Sequence, residues 1–130
     1  MTKDEQINYW RNSSQYDMQV ARDLLQNSHY LYVGFLCHQA TEKLLKAYWC
    51  KVKEEKPIKI HTLIRLATLT GLWSLLDDTQ KQFIGLLEPL NIAGRYPDYK
   101  SNLVRMLNQE RTSELLKRTI NFHKWIETKL

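Results

Sequence analysis

The 130-residue sequence lacks any long hydrophobic run: its longest near-continuous apolar stretch is Leu31 to Cys37. That is too short to span a membrane, and the polar start Met-Thr-Lys-Asp-Glu-Gln has no apolar region behind it, so no secretory signal is expected either. Its only two cysteines, Cys37 and Cys50, form no Cys-x-x-Cys pair. Both are read as free, partly buried thiols of a cytoplasmic protein. No Gly-x-x-x-x-Gly-Lys-Ser/Thr loop and no Gly-x-Gly-x-x-Gly occurs, which removes the usual phosphate cradles and dinucleotide folds. No glutamate has a histidine three residues later, which argues against a di-iron bundle, and no ligand pair has zinc spacing. Neither a metal nor a cofactor is expected. Alternating strand patterns and Asn-Gly or Asp-Gly hairpin signals are missing as well.

What is present is helical periodicity. The composition, 43% hydrophobic and 25% charged, is that of an ordinary globular domain. Thr2 and Glu5 have capping-box spacing, and Trp10, Asp17, Val20, Ala21, Leu24 and Leu25 follow at three- and four-residue steps, predicting a helix over about 3–27. After a break at Asn27-Ser28 a second helix is expected over about 29–53, antiparallel to the first because the connection is short. Pro57 marks a loop. A shorter helix begins near His61 and can end at Gly71 in the left-handed conformation; Asp77 or Asp78 can cap the next, which Pro89 ends or kinks. The period fails from Asn91 to Asn108, the expected functional loop, and returns from about Glu110 with Leu115, Phe122 and Ile126. The reading is all-α: one domain, residues 1–130, folded as an antiparallel up-and-down bundle of four main helices plus one short helix.

Net charge is +5, and the basic excess lies in residues 31–60 and 91–130. A local basic surface suits phosphate or an acidic partner, although lysines on helix faces also serve plain solvation. On the second helix Val33, Leu36, Cys37, Ala40, Leu44 and Ala47 form a stripe for the core. Beside it Gln39, Glu42, Lys43 and Lys46 share one arc, with Tyr32 and Phe35 toward its start. Rings that stack on a base and ammonium groups that meet phosphate suit a nucleotide or single-stranded RNA. The alternative is a surface ion pair between Glu42 and Lys46, with the aromatics bordering the core. Arg95-Tyr96-Pro97-Asp98-Tyr99 poses the same choice. Arg95 can meet phosphate in fork geometry beside a stacking Tyr96, or pair with Asp98 in a proline turn. His61 is read as a structural group rather than a ligand.

Trp10, Tyr16-Asp17-Met18, Ala21, Leu24-Leu25, then Gln39-Ala40-x-Glu42-Lys43-x-Leu45-Lys46-Ala47, His61-x-Leu63, Pro89 and Arg95-Tyr96-Pro97 resemble the HEPN family in order and spacing. The resemblance implies a four- to five-helix bundle, often a homodimer, associated with nucleotides or RNA. It further implies a prokaryotic protein paired with a minimal nucleotidyltransferase in a toxin-antitoxin-like system. Many members are metal-independent ribonucleases that use an Arg-x(4 to 6)-His motif across the dimer. Counting from Arg95, the histidine would fall at Lys100, Ser101 or Asn102, and none is a near-neutral acid or base. Arg118 and His123 have the spacing, but five residues of helix is about 140° of rotation, so their side chains should diverge.

The expectation is therefore a non-catalytic nucleotide- or RNA-associated bundle. Lys43, Lys46, Arg95 and Tyr96 are its candidate phosphate and base contacts, and Gln39, Glu42 and Asp98 support them. A ribonuclease toxin with a variant centre around Arg95, Asp98 and Tyr99 is the alternative, and a purely structural dimerisation module is a third possibility.

Overall fold

The structure, a computed structural model, describes residues 1–93 and 105–130. Helices α1 (Lys3–Gln26) and α2 (Tyr30–Lys53) form a long hairpin. They are followed by α3 (Leu63–Leu69), a 3-10 turn (Leu72–Leu75), α4 (Asp78–Leu87), the single turn α5 (Leu90–Ala93) and the closing helix α6 (Gln109–Glu127). No strand occurs among the described residues. The all-α reading holds, and the expected boundaries are met to within about two residues.

Local chemistry accounts for most of the helix ends. Thr2 accepts a hydrogen bond from the Glu5 amide at 3.2 Å, and Asn108 accepts one from Arg111 at 2.8 Å. Asp77 and Gln80 complete a reciprocal capping box at the start of α4. Gly71, with φ +79°, closes the turn after α3, a backbone region costly for any residue with a Cβ.

Helix α2 is the hub. It packs against α1, α3, α4, α5 and α6, which explains why its apolar positions run almost all the way round instead of forming a single stripe. Val33, Cys37, Ala40, Leu44, Leu45 and Ala47 are all buried. One core cluster draws on every helix from Met18 in α1 to Ile126 in α6. Side chains sealed as fully as Leu44, Leu63, Leu66 or Ile84 each contribute about 1.5–3 kcal/mol of apolar burial. Gly34 is packed tightly: a Cβ there would come within 3.2 Å of Leu107 and 3.3 Å of Leu90. Both cysteines are free and buried, and burial pushes the Cys37 thiol up to about 11 against a hydrogen bond with Thr119. It is packing material and not a nucleophile.

Asn91 and its neighbours continue helically as α5, so the expected irregular stretch begins later than its period suggests. Residues 94–104, which carry Arg95, Tyr96 and Asp98, lie outside the described residues. No helix among the described residues is long and apolar enough to cross a membrane.

Candidate functional site

Eight residues on a helix turn through about 800°, so positions i, i+4 and i+8 drift only about 40° per step and make one line. On α2 that line is His38, Glu42, Lys46. All three are buried, at 0%, 7% and 6% exposure. The expected surface pair between Glu42 and Lys46 does exist, with Nζ donating to Oε2 at 3.1 Å, but it lies beneath the surface. Tertiary packing is the reason. Trp10 of α1 covers the lysine, whose ammonium sits 5.4 Å from the ring centroid, and His61 closes over the glutamate from the other side.

Glu42 is the centre of this seam. His61, itself exposed, places Nδ1 3.1 Å from each Glu42 carboxylate oxygen, and His38 Nδ1 stands 3.9 Å from Oε1. On its other edge the His38 ring meets Glu88 Oε2 through Nε2 at 3.3 Å. Glu88 also accepts from the Leu63 and Ile64 amides, both at 3.0 Å. These amides open α3, whose own N-cap residue Thr62 makes no side-chain cap. A carboxylate from the end of α4 thus supplies the cap that the local sequence omits, at the positive end of the helix dipole. Burial raises the Glu88 pKa, but the bonds from His38, Ile64 and Leu63 outweigh it and hold the carboxyl below its usual range.

Lys43 points elsewhere, with its ammonium 2.8 Å from Asp17 Oδ2 of α1, a carboxylate that is largely buried. Gln39 is partly exposed on the same arc. The structure therefore brings Lys43, Lys46, Glu42 and Gln39 together on α2, but both ammonium groups are already paired. Arg95, Tyr96 and Asp98 cannot be placed beside them, since they lie outside the described residues.

Arg118 and His123 diverge as the helical rotation predicts. Arg118 lies over Phe83, 5.6 Å from its centroid, and lines cavities on the α4 side of α6. His123 lines a groove between α1 and α6 of about 340 Å³. The Thr41 hydroxyl donates to the Cys37 carbonyl at 2.8 Å, so it must accept from His123 Nε2, 2.9 Å away. This fixes the proton on Nε2 and the lone pair on Nδ1. Burial lowers the imidazole pKa to about 4, so His123 is neutral at neutral pH.

Sequence reasoning passed over His38 and Glu88. The i, i+4, i+8 line was available to find His38. Nothing local points to Glu88, which joins the seam only through the docking of α4 against α3.

Fold and seam together define a class: an all-α bundle around one central helix that buries a line of ionisable side chains beside its aliphatic core. A family model, HEPN domain, matches residues 7–129, nearly the whole chain. The chain belongs to the HEPN family, and is a nucleotide- or RNA-associated helical domain. No curated protein and no solved structure gives a significant match.

Proposed function

We propose that this HEPN domain binds a nucleotide or RNA without cleaving it, as a dimer that works with a nucleotidyltransferase partner in a toxin-antitoxin-like pair. The observation that carries the non-catalytic reading is the separation of Arg118 from His123. The two line different cavities, and His123 spends its one N–H on Thr41. An imidazole with a pKa near 4 is a weak base, poorly matched to general acid–base work at neutral pH.

Phosphate contacts are assigned to Lys43, Lys46 and Arg95, with Tyr96 stacking on a base and Gln39, Glu42 and Asp98 in support. Lys43 keeps 23% of its side chain exposed, so a phosphate there extends an existing ion pair with Asp17. Lys46 is buried more deeply beneath Trp10 and is already paired with Glu42, so a phosphate there shares the ammonium with that carboxylate. Arg95 brings the guanidinium fork suited to two phosphate oxygens.

The test is calorimetric titration with mononucleotides and short single-stranded RNAs at low and high salt, with the incubated RNA resolved on a gel. Binding that weakens with salt, leaves RNA intact and drops severalfold in Lys43→Gln and Arg95→Gln is the expected result. RNA cleavage that co-purifies with the protein and disappears in Arg95→Ala would overturn it in favour of a ribonuclease toxin.

A further inference from the structure

Residues 54–62 connect α2 to α3 and pass beside the first turns of α1. Between them lies a cavity of about 230 Å³. Its walls are apolar and aromatic, formed by Tyr9 and Trp10 of α1 with Pro57 and Ile58 of the connection. Tyr9 meets Trp10 edge-on, with centroids 5.1 Å apart and planes at 79°, and is itself 54% exposed. A large ring left this open beside a second ring is a surface on which a flat group can stack.

Three lysines are among the residues that line the same cavity, Lys46, Lys56 and Lys59. Lys46 is neutralised by Glu42. Lys56 and Lys59 are exposed and form no ion pair among the described residues, whereas Lys3, at the start of α1, is bound to Glu54 at 2.8 Å. Two lysines without an ion pair among the described residues therefore line a cavity with aromatic walls. A ligand that satisfies both features has a planar ring and an attached phosphate. Size narrows the choice: the cavity is smaller than the roughly 300–1,000 Å³ of clefts that enclose drug-sized molecules, so it has room for one base and not two.

We propose that this cavity holds a single nucleotide unit, with its base against Tyr9 and Trp10 and its phosphate at Lys56 and Lys59. The inference rests on the nucleotide- or RNA-binding reading and adds a position remote in sequence from Arg95. A free mononucleotide and the 5′-phosphorylated end of an RNA present the same chemistry, and the experiment separates them.

The full chain is titrated with AMP, GMP, CMP and UMP, with inorganic phosphate, and with a six-nucleotide RNA carrying either a 5′-phosphate or a 5′-hydroxyl. The variants are Lys56→Gln/Lys59→Gln and Tyr9→Leu, all at exposed positions, with thermal melts as the check on folding. The wild type is expected to bind base-bearing phosphates at least tenfold better than inorganic phosphate, and each variant to lose about tenfold at unchanged melting temperature. Preference for mononucleotides identifies a free nucleotide, and preference for the 5′-phosphorylated over the 5′-hydroxyl RNA identifies a strand end. Wild-type affinity retained in both variants overturns the site. If Arg95→Gln abolishes that affinity, the general nucleotide reading survives without this cavity. If the wild type binds none of these ligands, both proposals fail together.

Discussion

The two sides of α2 treat polar groups differently. Toward the start of α1 and toward α3 and α4, Glu42 and Lys46 are buried against each other, with His38, His61 and Glu88 in reach of this seam. Toward α6, His123 meets one hydroxyl and no carboxylate within salt-bridge distance among the described residues. Burial acts on both sides, but only the first supplies opposite charges and backbone amides. The comparison teaches that this bundle buries ionisable side chains together where tertiary partners converge, and that an imidazole without such partners is held neutral by burial.

The largest effect should come from breaking the seam at its centre. Glu42→Leu leaves Lys46 buried without its carboxylate and is expected to destabilise the fold by about 3–5 kcal/mol, a drop in melting temperature of roughly 10 °C or more. Adding Lys46→Met should restore at least half of that loss. A double variant no more stable than the single one would show that the pairing is not what the seam contributes.

On the other side of α2 the test is pH. The folded pKa of His123, about 4, lies below its ordinary value of 6.5, so on acidification the unfolded chain takes up the proton first. Its contribution is complete above pH 6.5 and is lost as pH falls toward 4, amounting to about 2–3 kcal/mol. Denaturant melts of wild type and His123→Gln across that range should differ by this slope. An NMR titration in which the His123 ring protonates near pH 6.5 would contradict the contrast between the two sides.

A smaller effect is expected at the distal end of the seam. Glu88→Gln weakens the cap on Leu63 and Ile64 and should cost about 1–2 kcal/mol at neutral pH, with faster hydrogen exchange at those amides. The Glu88 carboxyl is held below its usual range, so its stabilisation is present above about pH 4.5 and fades as the carboxyl protonates below it. Wild type and variant should therefore converge in acid. A constant gap down to pH 3 would remove Glu88's charge from the account.

The sequence by itself determined the helices and the core. Three- and four-residue apolar spacing, the Thr2 and Asp77 caps and the Gly71 stop are local facts, and a helix end needs only its own few residues to form. The family pattern in α2 was equally legible, because it is carried within nine residues of one helix. Residues that touch through a single helix could be paired from spacing, as Glu42 with Lys46 was, and the divergence of Arg118 from His123 followed from the same rotation. Only the tertiary structure decided that the Glu42–Lys46 pair is buried, that Glu88 caps a helix it does not belong to, and that Tyr9 and Trp10 share a cavity with Lys56 and Lys59. The contacts behind these outcomes join residues from 19 to 50 positions apart, and their geometry is set by how whole helices dock, which no local periodicity encodes.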